Sequence, residues 1–154
     1  MKSKPVTEIR LALPGEIDAV VYLLGRQLRE HQLDTGLDQI RSVIERIMAD
    51  TRLGFVLVAT GPGGSLVGVA FGTSFLGIEH GGVSGWIEEL YVLPEFREKG
   101  FGALLVTEFI RNATGLGWRA IDLEVDADHQ RSVSLYERYD FQPVARTRFC
   151  RKFN

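Results

Sequence analysis

The stretch IEELYVLPEFREKGFGALLVTEF, residues 87–109, decides how the chain is read. Its first part has the make-up of a strand, and its second, from about Gly100, carries apolar residues at helical spacing. Between them Pro94 interrupts the strand, and Gly100 and Gly102 sit where the backbone must turn tightly and come close to something. The N–H groups that open a helix have no acceptor within it and lie at the positive end of its dipole. A turn without side chains at this point is therefore a ready anion site, and phosphate is its natural occupant. Arg97 and Lys99 add charge nearby. The spacing Arg-x-x-Gly-x-Gly is weak by itself in a chain with 17 glycines; its place between a strand and a helix gives it weight.

Outward from this turn the rest of the chain falls into regular elements. Val6, Ile9 and Leu11 form a short strand that stops at Pro14, where a helix can begin because a first-turn residue needs no N–H. Ile17, Val20, Val21, Leu24 and Leu28 line one face of a helix to about Glu30. Asp34 or Thr35 caps a second, striped by Leu37, Ile40, Ile44, Ile47 and Met48. GFVLVAT (54–60) and SLVGVAFGTSF (65–75) flank a Gly-Pro-Gly-Gly turn as an antiparallel hairpin, and VSGWIEELYVL (83–93) adds a third strand. A helix follows from about Gly100 to Ala113, then a strand from Ile121 to Val125, a helix from about Gln130 to Tyr139, and a closing strand through Val144 and Phe149. The order β-α-α-β-β-β-α-β-α-β predicts an α+β fold: a mixed, mostly antiparallel central sheet with helices on both faces. With no repeat or linker, residues 1–154 read as a single domain.

Composition narrows the partners. Eighteen basic against 20 acidic side chains leave a formal charge of −2, so no global positive field draws the chain to nucleic acid or anionic lipid. One cysteine, Cys150, cannot form an internal disulfide, and His31, His80 and His129 have no zinc spacing, so no metal is expected. The opening MKSKPVTEIRLALPGE lacks an apolar run suited to a signal peptide, and no segment approaches a membrane span, which together predict a cytoplasmic protein with a small-molecule partner.

The run from Glu88 to Leu105 resembles the acetyl-CoA-binding motif of the GNAT N-acetyltransferases, and Leu123 to Phe141 resembles the strand and helix that follow it in that family. With the order of elements, the resemblance covers essentially the whole chain. It implies that Arg97, Gly100 and Gly102 are the pyrophosphate signature. Backbone amides of Arg97, Glu98, Lys99, Gly100, Phe101, Gly102 and Ala103 would then hold the phosphates. Leu90, Tyr91 and Val92 match the strand whose backbone pairs with the pantetheine arm of acetyl-CoA, near where that strand splays from its neighbour. LYERYDF (135–141) resembles the family's Leu-Tyr-Glu-x-x-Gly-Phe, with Asp140 in the usual place of glycine. His129 and Ser132 stand where asparagine and alanine are common, beside the cofactor. Asp140 is a tolerable replacement because aspartate accepts left-handed backbone angles better than most residues.

Acyl transfer to an amine needs a neutral amine, a donor for the developing oxyanion and a proton for the departing thiolate. The resemblance gives the last role to Tyr136 and the oxyanion donor to the backbone N–H of Tyr91 or Val92. Glu88 and Glu89 are candidate bases; strand alternation sends them to opposite faces, and likeness to polyamine-type members favours Glu88. Glu30, Asp34, Glu79, Glu88 and Glu89 would make an acidic mouth for a small cationic amine, with His80 beside Glu79 in a glycine-flanked loop. Trp86 and Trp118 read as core or interface aromatics, Cys150 as structural, and Arg146, Arg148 and Arg151 as the wet face of the last strand. Family members often pair, so a homodimer is expected. A dinucleotide-binding domain fails on element order, since it would open with its glycine motif. The remaining alternative is a non-catalytic acetyl-CoA-binding sensor or interaction module of the same fold; Tyr136 and the two acids argue for an enzyme.

Overall fold

A computed structural model describes residues 7–153, so Val6 lies outside the described residues. The chain divides into two compact units, one ending at Glu124 and the other beginning at Val125. The first holds strand β1 (Ile9–Leu11), helices α1 (Ile17–Glu30) and α2 (Leu37–Ala49), strands β2 (Gly54–Thr60), β3 (Leu66–Gly77) and β4 (Gly82–Val92), helix α3 (Phe101–Gly115) and strand β5 (Ile121–Leu123). Its sheet has the order β1-β2-β3-β4-β5, antiparallel throughout except for the parallel pair β4–β5. This is the mixed, mostly antiparallel sheet that the sequence predicts.

Both faces of the sheet are covered. On one, Val56, Val58, Val69, Phe71 and Tyr91 pack with Val20, Val21, Leu23 and Leu24 of α1 and with Ile40, Ile44 and Ile47 of α2. On the other, Phe109 of α3 fills the space over Gly72, and Phe55, Phe109 and Trp118 form an aromatic cluster with centroid separations of 4.6–6.0 Å. β2 is therefore buried along its whole length, as an inner strand between two helical layers must be. Trp118, half-buried, packs in this cluster; the sequence reads it as a core or interface aromatic. α2 is capped neither by Asp34 nor by Thr35 but one residue later, at Gly36, whose N–H donates to the Gln39 side chain at 2.9 Å.

The second unit contains one regular element among its described residues, α4 (Gln130–Glu137). The predicted closing strand is absent: residues 141–153 are assigned to no strand, and Val144, Phe149 and Phe153 are exposed. Cys150 is exposed too, which overturns its reading as a packed structural residue. Arg146, Arg148 and Arg151 are exposed as expected, though not as one side of a strand. No helix among the described residues is long and apolar enough to cross a membrane.

Candidate active site

The site begins with an irregularity in β4. The β3–β4 register pairs Phe71 with Glu89 but Gly72 with Ile87, so Glu88 is the extra residue of a β-bulge. The bulge resets the alternation on which the sequence reading relied. Glu89 lies opposite Phe71 and so shares its face toward α1 and α2. Glu88 accepts a 2.6 Å hydrogen bond from the Thr73 hydroxyl, and Thr73, two residues from Phe71 on β3, is on that face as well. The two carboxylates are thus on one face of the sheet rather than on opposite faces.

The bulge also decides which backbone groups of β4 are available. Before it, the N–H of Gly85 donates to Ala120 beside β5. After it, the N–H of Leu93 donates to Val67 of β3, so positions 89, 91 and 93 face β3 while 90 and 92 face the other edge. Pairing with β5 runs from Gly85–Ile121 to Ile87–Leu123 and ends there. Among the described residues Leu90–Val92 have no pairing with β5, and the edge on that side carries the N–H groups of Leu90 and Val92. The N–H of Tyr91 points to β3, which leaves Val92 of the two oxyanion donors inferred from sequence.

Beyond Val92 the chain passes through a short turn, Pro94–Phe96, into the glycine segment. Glu98 and Gly100 both take left-handed angles, with φ of 61° and 88°. A side chain at Gly100 would meet nothing within 4 Å, so glycine is there for backbone conformation and open approach rather than for packing. The α3 ladder starts with Leu104 N–H to Gly100 C=O at 3.1 Å, so the N–H groups of Phe101 and Gly102 precede it in the first turn. Phe101 is buried, Gly102 and Ala103 half-buried. The turn's cations fold back onto the protein: Lys99 Nζ donates to the Glu95 carbonyl at 2.8 Å and lies over the Phe96 ring. The Lys99 ammonium is thus engaged by its own turn.

Arg97 is held at three points. Its Nε donates to the Val92 carbonyl at 2.8 Å, an Nη donates to Glu30 Oε2 at 2.9 Å, and its guanidinium lies 5.3 Å from the centre of the Tyr91 ring. Tyr91 in turn donates its hydroxyl to Glu30 Oε1 at 2.7 Å. Burial first, and the neighbouring Glu30 second, push the Tyr91 phenol up to about 12. Burial would raise Glu30 as well, but hydrogen bonds from Tyr91 and Arg97 outweigh it and hold the carboxyl below its ordinary value. One turn earlier in α1, buried Gln27 reaches the Leu90 carbonyl with Nε2 at 3.5 Å, and its buried Oε1 has no hydrogen-bond partner among the described residues. Sequence reading missed Gln27: nothing in an amphipathic stripe marks a polar residue that faces inward.

The remaining candidates lie elsewhere. Tyr136, on α4, is half-buried and makes an edge-to-face contact with Phe141, with centroids 5.7 Å apart. His129 precedes α4 and is exposed, its carbonyl accepting from the N–H of Ser132. Asp140 has φ of 64°, the left-handed conformation anticipated for it. In the first unit, His80 Nε2 is 3.0 Å from an Asp122 carboxylate oxygen and its ring lies against Phe75, so it ties the β3–β4 hairpin to β5. Glu79 is exposed beside it.

A strand edge past its last β5 pair, a left-handed turn and a helix N-terminus thus follow one another along the chain. Comparison with known proteins gives the family. The family model described as Acetyltransferase (GNAT) family matches residues 18–141. Mycothiol acetyltransferase of Propionibacterium freudenreichii subsp. shermanii is 38% identical over 90 residues, which are 58% of this chain and 28% of that protein. The chain thus matches well under half of that relative's length. Two solved structures share the fold with a TM-score of 0.83. One is an integron cassette protein from the mobile metagenome of Cole Harbour Salt Marsh, at 23% identity over 95% of this chain and 90% of that one. The other is the aminoglycoside N-acetyltransferase AAC(6′)-Iy in complex with CoA, at 19% identity over 99% and 98%.

Proposed function

The chain belongs to the GNAT acetyltransferase family, and we propose that it moves an acetyl group from acetyl-CoA to a primary amine of a small cationic molecule. The family match crosses both compact units, which supports reading residues 1–154 as one acetyltransferase domain.

The observation that carries the proposal is the end of β4–β5 pairing at Ile87, directly followed by the open edge of Leu90 and Val92 and by the left-handed turn into α3. An acyl-CoA is a narrow amide-containing arm joined to a pyrophosphate, and this succession offers strand-like hydrogen bonds to the one and helix-start amides to the other. Gln27 fits the same ligand: a buried acceptor with no protein partner, beside the Leu90 carbonyl, suits an amide N–H. Acetyl-CoA would supply an acetyl group activated as a thioester. The Val92 N–H faces the open edge and is the donor for negative charge developing on the acyl oxygen. Glu88 and Glu89, on one face at the bulge, take the proton of the incoming amine directly or through water, and their charge selects cationic acceptors. Tyr136, by its match to the family's tyrosine, supplies the proton that the departing thiolate takes up. The name of the CoA-bound neighbour, an aminoglycoside N-acetyltransferase, agrees with a cationic amine.

Thiol release from acetyl-CoA, measured against a panel of polyamines, aminoglycosides, amino acid derivatives and short peptides, tests this. Turnover is expected with a cationic amine and should fall about a hundredfold in Tyr136→Phe with cofactor affinity kept, the lower range for a lost general acid. Binding of acetyl-CoA without turnover of any acceptor would favour a non-catalytic binding module.

A further inference from the structure

The last turn of α1 touches the open half of β4 at three places: Gln27 at the Leu90 carbonyl, and Glu30 at both the Tyr91 hydroxyl and the Arg97 guanidinium. Glu30 divides its two oxygens between those partners, and Arg97 uses its third contact to occupy the Val92 carbonyl. Both carbonyls that face the open edge, those of Leu90 and Val92, are therefore engaged by side chains, so the edge offers donors rather than a mixed pattern. Glu30 also joins the end of α1 to the core tyrosine of β4 and to the first residue of the glycine turn.

Resting on the acyl-CoA reading above, we propose that Glu30 is a positioning residue for cofactor binding, acting through Arg97 and Tyr91 to hold the strand edge that pairs with the pantetheine arm. It is not part of the acidic mouth, because both its oxygens are taken. Arg97 is likewise a strand clamp rather than a phosphate ligand: its charge is met by Glu30, and the amides of the turn are left to hold the anion. Loss of Glu30 leaves the Tyr91 hydroxyl without its acceptor and frees Arg97 from the edge, so the defect belongs to the pantetheine arm and not to the phosphates.

Three probes separate these roles: CoA, pantetheine, which lacks the phosphates, and adenosine 3′,5′-bisphosphate, which lacks the arm. Affinities for wild type, Glu30→Ala, Glu30→Gln and Arg97→Met would be measured by calorimetry for CoA and by amide chemical-shift titration for the two fragments, with melting curves to confirm folding. Glu30→Ala and Arg97→Met should each weaken CoA and pantetheine by the same factor, about tenfold, the value of one charge-assisted hydrogen bond, and leave the bisphosphate unchanged. Glu30→Gln, which keeps an acceptor for Tyr91, should fall between wild type and Glu30→Ala. The double change Glu30→Ala with Arg97→Met should lose no more than the worse single, as expected of residues acting as one unit. If Glu30→Ala does not fold, Tyr91→Phe interrupts the same cluster with less disruption and should show the same selectivity for the arm. Loss on the bisphosphate would make Arg97 a phosphate ligand, and equal loss on all three probes would reduce Glu30 to general stability; either overturns the proposal, as does unchanged or tighter CoA binding. A wild-type protein that binds none of the probes removes the acyl-CoA reading itself, and this inference with it.

Discussion

The half of β4 before the bulge, Gly82 to Ile87, is flanked by β3 and approached by β5, whereas the half from the bulge on, Glu88 to Val92, has β3 as its one strand partner among the described residues. The first half serves packing: Ile87 and Ser84 are buried, and Gly85 leaves just enough room for the Trp118 ring. The second is the half to which binding is assigned in the function proposed above: its backbone donors face an edge with no strand partner among the described residues, and two carboxylates and a buried tyrosine share a face with α1. One extra residue separates them. Without Glu88 in the bulge, alternation would carry Tyr91 to the α3 face, away from Glu30, and would direct its neighbours' amides into β3. The contrast teaches that a functional strand need not differ in composition along its length; a shift of parity is enough to change what each half does.

The largest effect should come from the acids at that shift. Glu88→Gln combined with Glu89→Gln should lower kcat about a hundredfold, the lower range for a lost general base, with a melting temperature close to that of wild type. Acetyl transfer followed across pH, beside thermal melting, checks it. A variant that unfolds before it loses activity would make the bulge an element of stability and erase the distinction between the halves.

The paired half should behave in the opposite way. A methyl group at Gly85 would lie 2.0 Å from the Trp118 ring, so Gly85→Ala should cost about 2 kcal/mol of stability by overpacking. Urea denaturation measures this, and the folded fraction should retain cofactor affinity. A neutral result would mean that Trp118 has free space to move into.

A smaller signature lies in the pH dependence of stability. The Tyr91 phenol is raised from its ordinary value of 10.0 to about 12, mainly by burial, so the folded state holds its proton longer than the unfolded state does. That contribution is complete below pH 10 and is lost as the pH rises through about 12. Between those limits wild type should lose about 1–2 kcal/mol more than Tyr91→Phe in parallel denaturant titrations. Curves of equal slope would mean that the hydroxyl is hydrated in the folded protein, and that the Glu30 cluster is looser than its hydrogen bonds imply.

The fold was legible where periodicity and glycine turns agree: the amphipathic stripes of α1 and α2, the hairpin of β2 and β3, and the strand-to-helix passage at Gly100 all stand where the sequence places them. The family came from the same passage. The bulge was not legible, because Glu88-Glu89 satisfies alternation as well as it satisfies a bulge, and the choice is made by the register with β3. The closing strand failed for a related reason: residues 144–153 alternate well enough, but pairing is a property of a neighbour and not of the segment. Asp140 could be anticipated because its backbone demand is local. The partners of Arg97 could not, since Glu30 lies far away in sequence and meets it through the packing of α1 on the sheet.

Gln27 gives the finest test of the open half, since it touches that half and not the other. Its Nε2 bond to the Leu90 carbonyl is long, at 3.5 Å, and its buried Oε1 has no partner, so the amide costs desolvation that its one weak bond does not recover. Gln27→Met keeps the volume and removes the orphan acceptor; it should raise stability by up to about 1 kcal/mol in denaturant melts. If Oε1 is retained to receive an amide N–H of the cofactor, the same substitution should weaken CoA binding by a few-fold, about one neutral hydrogen bond. Stability and affinity would then move in opposite directions, which a residue used for packing alone cannot produce. A gain in stability with CoA affinity unchanged would place the pantetheine amides elsewhere along the edge, on the N–H groups of Leu90 and Val92 without help from α1.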